Sequence, residues 1–136
     1  MTVSSDTPPM PDRHRDPIVR TVPHPSDMNG NGDIFGGWVL SQMDVAGGAL
    51  AARVAKGRVA TVAITAMTFV EPIKVGDMVS IYGDVTKVGR TSITIALETV
   101  VQRRHEDTDR MVTHGTFVFV AIDDEGKPRP VPQAAA

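Results

Sequence analysis

Apolar positions recur with two different periods along this chain. Between Gly37 and Lys56, the residues Leu40, Met43, Gly47, Leu50, Ala51 and Val54 share one face at helical spacing, and Gly57 supplies a C-terminal stop. Elsewhere the pattern is that of strands. Ile18 to Val22 is a short one, halted by Pro23 and Pro25. Val59 to Val70 is a long β-branched run closed by Glu71 and Pro72, and Met78 to Val88 follows a turn at Val75, Gly76 and Asp77. Gly89 and Arg90 predict a tight hairpin into Thr91 to Arg103, where Ile93, Ile95, Leu97 and Val101 alternate with Thr94, Ala96 and Glu98. A polar turn at His105 to Asp109 leads into a last strand, Met111 to Ile122, ended by Asp123 to Gly126. One helix followed by a run of long strands predicts an α+β domain in which an antiparallel sheet covers a single helix.

That helix is apolar on its other sides too, since Trp38, Val39, Val45, Ala46, Ala49 and Ala52 lie off the stripe. One curved sheet cannot enclose a twenty-residue helix about 30 Å long. Gly47 and Gly48 each cost roughly 1 kcal/mol relative to alanine within a helix. Close approach of another backbone or a ligand would account for them. Pairing of subunits is the expectation.

Composition narrows the class. The 136 residues suit one domain, with 41% hydrophobic residues for its core and a net charge of -2. That balance argues against nucleic-acid binding, which draws on clustered Lys and Arg. With no cysteine, a disulfide framework, a thiolate nucleophile and Cys-ligated zinc are all ruled out. The four histidines, His14, His24, His105 and His114, have no ligand spacing, so no metal site is expected. No apolar run approaches the ~20 residues of a membrane span, and the polar, proline-rich start is unlike a secretory signal, so a cytoplasmic location without membrane partners is expected. Residues 1–16 and 128–136 read as loose tails on a domain of residues 17–127.

The chemistry concentrates in Asn29 to Asp44, a glycine-rich loop running into the helix. Asn29 offers a side-chain amide. Gly36 and Gly37 open the helix, where free N–H groups and the positive dipole end favour a developing oxyanion. Asp44 lies two turns on, in a segment with little else that is polar, and a carboxylate there is costly unless paired or used. On these residues alone Asp44 is equally readable as a structural carboxylate, and the Asn29 loop as a mere turn.

The order of motifs resolves that choice by resemblance. Asn29-x-x-Gly32-x-x-x-Gly36-Gly37, an apolar helix with Asp44, then Gly57 to Val62, Met67 to Pro72 and Val75 to Asp77 closely resembles the hotdog-fold acyl-CoA thioesterases, nearest to the bacterial YciA-type branch, from about Thr21 to Pro132. The resemblance implies a hotdog fold, a long central helix wrapped by an antiparallel sheet, with two subunits joining their sheets side by side and tetramers or hexamers above that. It implies hydrolysis of acyl-CoA to free coenzyme A and a carboxylic acid, in fatty acid metabolism, with no cofactor beyond the coenzyme A of the substrate. Asn29 of one subunit would face Asp44 of the other. Asp44 would serve as general base or nucleophile, and Gly36, with Gly37 beside it, as oxyanion donor. For the coenzyme A moiety the candidates are Lys56, Arg58, Thr61, Arg90, Thr91 and Ser92, with Arg103 and Arg104 as further cations. The rival readings are a hotdog hydratase or dehydratase, whose sites pair a His with an acid, and a non-catalytic acyl-CoA-binding or sensor protein.

Overall fold

The computed structural model describes residues 7–12 and 14–133. Its elements are β1 (Val19–Thr21), a 3-10 turn at Pro25–Asp27, α1 (Gly36–Ala55), β2 (Val59–Phe69), β3 (Met78–Val88), β4 (Ser92–Gln102) and β5 (Asp109–Ala121). The five strands form one sheet in the order β1-β3-β4-β5-β2, and each neighbouring pair is antiparallel. The first long strand, β2, therefore pairs with the last and forms an edge.

Alternation in β4 and β5 sorts side chains onto two faces. Ile93, Ile95, Leu97, Val101, Phe117 and Phe119 point inward and are almost fully buried. Against them α1 sets Val39, Met43, Ala46, Gly47, Ala51 and Ala55. This stripe is rotated from the one the periodicity predicts, leaving Leu40, Leu50 and Val54 half-buried. The cause is the stacked pair Phe117 and Phe119, with ring centroids 6.3 Å apart, which needs small residues opposite. A methyl group at Gly47 would come within 2.8 Å of Phe119 Cζ, so the first glycine of the pair is a packing requirement of this chain alone.

Both ends of α1 differ in detail from the expectation. The left-handed residue after the helix is Lys56 (φ 53°), and Gly57 donates its N–H to Ala52 O at 3.2 Å. Gly57 serves another purpose: a side chain there would strike the guanidinium of Arg129, 2.5 Å away. Arg129 donates to Ala55 O at 3.0 Å and to Ile122 O at 3.0 Å, filling an orphan carbonyl at the helix end.

The stretch from Pro128, expected to be loose, is docked through residue 131. Arg129 N–H donates to Ala121 O and Val131 N–H to Arg90 O, and Val131 is only 3% exposed. Prolines cannot donate to a ladder, yet alternate residues here supply the hydrogen bonds, so the segment runs as an extension along the sheet end. Residues 134–136 of that tail lie outside the described residues, as do 1–6 and 13 of the N-terminal one. Within the N-terminal tail, Arg15 is held to the sheet. It pairs with Asp84 at 2.7 Å, donates to Gly83 O, and lies 5.9 Å over the Tyr82 ring.

Candidate active site

The loop that opens the site is tied by its own backbone. Asn29 N–H donates to Asp33 O at 2.7 Å, while Asn29 Oδ1 accepts from Asn31 N at 2.8 Å and from Asp33 N at 3.2 Å. Ile34 N–H donates to Ile73 O and Phe35 N–H to Asp27 O, and Lys74 forms an ion pair with Asp33. The Asn29 oxygen is thus spent on the turn, and its amide nitrogen is the group left to meet a ligand. The turn reading of Asn29 is part of how the residue is aimed.

Phe35 is the N-cap of α1 and offers no side-chain cap. Its carbonyl accepts from Trp38 and Val39, and the N–H groups of Gly36 and Gly37, in the first turn, have no backbone acceptor. Asn29 and Gly36 open onto one cavity of about 350 Å³ with apolar walls that include Ile34, Val39, Phe69 and Ile73. Gly37 faces open space.

Asp44 does not line that cavity. Eight residues beyond Gly36, it lies about 12 Å along the helix axis, half-buried, and accepts a hydrogen bond from Thr61 Oγ1 at 2.6 Å. One protomer thus brings Asn29 and Gly36 together but leaves Asp44 apart. Apolar side chains are exposed next to Asp44 and next to its partner Thr61 in the chain. Val45 on α1 is 62% exposed and Val62 on the β2 edge is 57% exposed, with Ile64 and Phe69 further along the strand also exposed. An edge strand with unpaired backbone groups and apolar side chains is a surface that pairs with another chain.

The coenzyme A candidates divide. Lys56 and Arg58 line a second cavity of about 350 Å³ with Gly57, Asp123 and Arg129. Arg58 reaches the carbonyls of Asp123 and Asp124 at 3.4 and 3.3 Å. Arg90, Thr91 and Ser92 belong to the same end of the sheet: Thr91 O accepts from Ala121 N–H, and the next residue, Ile122, donates to Arg58 O. Thr61 is elsewhere, engaged with Asp44. Arg103 is also spent, in an ion pair with the buried carboxylate of Asp77 at 3.1 Å. Arg129 was invisible in the sequence, where it is one cation in a proline-rich tail.

The outer sheet face carries a polar row absent from the sequence expectations. Tyr82, Glu98, His114 and Thr68 are successive cross-strand partners on β3, β4, β5 and β2. Glu98 Oε2 and His114 Nε2 are buried without a hydrogen-bond partner, beside a cavity of about 510 Å³. Burial raises the Glu98 carboxyl pKa above the usual range, the charge of Asp84 adds to the rise, and Arg15 opposes it. Among the described residues no group of three or more His, Asp or Glu could hold a metal ion, and no helix is long and apolar enough to cross a membrane.

Residues 31–107 match the Thioesterase superfamily, a span that includes the helix start, Asp44 and three of the five strands. The chain belongs to that superfamily. Within the thioesterase superfamily it is 46% identical over 118 residues to the acyl-CoA thioester hydrolase YciA of Salmonella typhimurium, covering 85% of this chain and 89% of that one. A hexameric hotdog-fold thioesterase of Campylobacter jejuni superposes with a TM-score of 0.84 at 35% identity, over 89% of this chain and 93% of that one. A hexameric broad-specificity acyl-coenzyme A thioesterase, solved as an aspartate-to-alanine mutant, superposes with a TM-score of 0.83 at 47% identity, over 86% of each chain. The helix wrapped by an antiparallel sheet is the hotdog fold of this thioesterase family.

Proposed function

We propose that this protein hydrolyses acyl-CoA thioesters to free coenzyme A and a carboxylic acid, at sites formed between subunits. The observation that carries this reading is the division of the site. Asn29 and the free Gly36 N–H converge on one cavity, while Asp44, oriented by Thr61, stands apart on α1 near an apolar sheet edge. Joining two β2 edges would set the Asn29 loop of one subunit against Asp44 of the other. The hexameric state of the related thioesterases supports such pairing and assembly beyond it.

The chemistry follows the charge. The thioester carbonyl oxygen rests on Gly36 N–H at the positive end of α1, and this donor strengthens as the tetrahedral oxyanion forms. Asp44 takes a proton from water as it attacks the acyl carbon, or attacks that carbon itself to give an anhydride that water then opens. Asn29 Nδ2 holds the water in either route. The carbon–sulfur bond breaks as the carbonyl re-forms, and the proton passes to the coenzyme A thiolate. Lys56, Arg58 and the Arg90 to Ser92 turn receive the anionic end of coenzyme A, with Arg129 holding their frame together. No cofactor is called for, and we place the enzyme in the cytoplasm.

Thiol release from a panel of acyl-CoAs tests the reading, with wild type and Asp44→Ala compared side by side. Turnover that collapses in the folded mutant supports it. Tight binding of acyl-CoA by both proteins without thiol release favours a binding or sensor role. A single turnover in ¹⁸O water identifies an anhydride opened at the Asp44 carbon, since only that route leaves label on Asp44 and yields an acid with both oxygens unlabelled.

A further inference from the structure

The two stretches read as receiving the anionic end of coenzyme A are bonded to one another through the end of β5 and the chain that follows it. Ile122 N–H donates to Arg58 O and Ala121 N–H to Thr91 O, each at 2.9 Å. Arg129 N–H then donates to Ala121 O at 2.9 Å, and Val131 N–H to Arg90 O at 2.8 Å. The Arg129 side chain closes this frame and is consumed in doing so. Its Nε donates to Ile122 O at 3.0 Å, Nη2 to Ala55 O at 3.0 Å and Nη1 to Pro130 O at 3.4 Å.

All three nitrogens thus face carbonyls of this chain, although Arg129 lines the same cavity as Lys56 and Arg58. Among the described residues Lys56, Arg58 and Arg90 form no ion pair, so theirs are the charges left for an anion. Asp123 and Asp124 line the cavity too, and Asp123 Oδ1 is turned into its own loop by the N–H groups of Glu125 and Lys127. Gly57 makes room for the clamp. The glycines with positive φ are Gly32, Gly76 and Gly126, so the backbone at 57 does not itself require glycine. A methyl group there would come within 2.5 Å of Arg129 Nη2.

We infer that Gly57 and Arg129 are a positioning pair for the anionic end of coenzyme A. Arg129 touches no phosphate; it ties the helix end to the strand end and so sets the spacing of Lys56 and Arg58 from Arg90. The inference rests on the reading of those three cations as the coenzyme A contacts, and deepens it by separating the groups that meet the anion from the pair that spaces them. The separation has a chemical signature. A phosphate contact is served by either cation, whereas a planar fork held between two carbonyls is not replaced by lysine.

Butyryl-CoA and butyryl-pantetheine carry the same thioester and differ in the phosphates and nucleoside, so the ratio of their kcat/KM isolates the anionic end. Wild type is expected to favour butyryl-CoA. Arg129→Gln and Arg129→Lys should each lower the ratio by about 10-fold, within the scale of a small misplacement of a positioned group. Gly57→Ala keeps every charge and should lower it as well, because its methyl displaces the guanidinium. The flexible end of Arg129 can swing aside, which guards this variant against loss of folding. Calorimetric affinity for free coenzyme A gives a readout without turnover and should fall in all three variants. A ratio unchanged in all three overturns the inference, since a merely structural loss lowers both substrates alike. A wild-type ratio in Arg129→Lys beside a lowered one in Arg129→Gln also overturns it and makes Arg129 a phosphate contact. Wild type without preference for butyryl-CoA overturns the reading of the coenzyme A site, and the inference with it. Lowered coenzyme A affinity in a protein that releases no thiol upholds the inference and overturns the catalytic reading instead.

Discussion

Thr61 donates its hydroxyl to Oδ1 of Asp44 at 2.6 Å, joining the start of the edge strand to the middle of the helix. This contact occupies one carboxylate oxygen and leaves the other to face water or substrate. It also fixes the rotamer of a half-buried carboxylate on a largely apolar helix. Thr61→Val removes the donor at nearly constant volume. The expected outcome is a fall in kcat of about 10²-fold, the scale of a small misplacement of a catalytic group, with KM little changed and most activity restored in Thr61→Ser. Steady-state kinetics decide. A raised KM at constant kcat would return Thr61 to the coenzyme A contacts.

The two mid-helix glycines, Gly47 and Gly48, should respond in opposite ways to alanine. At Gly47 the new methyl meets Phe119 Cζ at 2.8 Å and Leu97 Cδ1 at 3.0 Å. Overpacking of this kind costs about 1–3 kcal/mol, which exceeds the ~1 kcal/mol alanine recovers in helix propensity at the upper end of that range. At Gly48 the nearest atom is 3.7 Å away, an ordinary contact. Urea denaturation should therefore show Gly47→Ala less stable than Gly48→Ala, with Gly48→Ala at or above wild type.

Glu98 predicts a pH dependence of stability. Its carboxyl pKa is raised in the folded chain, first by burial and then by Asp84. The folded state therefore keeps the proton to a higher pH than the unfolded state does. The stabilisation is complete below the ordinary carboxylate pKa and is lost as pH rises through the raised value. Glu98→Gln, neutral throughout, should melt at a higher temperature than wild type at neutral pH, and the gap should close in acid. Thermal melts across that range read it directly. A gap independent of pH would detach Glu98 from the effect.

The apolar edge makes a prediction about assembly. A charge at Val62, 57% exposed on β2, should be tolerated by the isolated fold and not by a subunit boundary. Val62→Lys should elute as a smaller species in size-exclusion chromatography with light scattering. Its activity should fall with the dissociation, because the Asn29 loop and Asp44 would no longer meet. A fully active monomer would place the whole site within one chain.

The candidate residues Gly36, Gly37, Asn29 and Asp44 could be named from the sequence because the loop and the helix that carry them are consecutive. The same is true of the elements: the helix, the four long strands and the hairpin at Gly89 follow from periodicity and turn residues within short windows. The partners of those residues were not legible. β2 carries register irregularities between Thr61 and Ala63 and between Thr65 and Thr68, and Ala66 has a φ of 53°. Each bulge breaks the alternation by which a strand's inward and outward residues are counted. Simple alternation therefore could not show that Thr61 turns to Asp44 or that Phe69 lies on Gly36. Arg129 and Gly57 meet across 72 positions by the same token: their contact depends on how the chain end returns along the sheet. Local periodicity and backbone preference determined the elements and the chemical inventory of this protein. Which groups touch was decided by sheet order, by bulges and by the bulk of Phe117 and Phe119, because these act only once distant segments share one core.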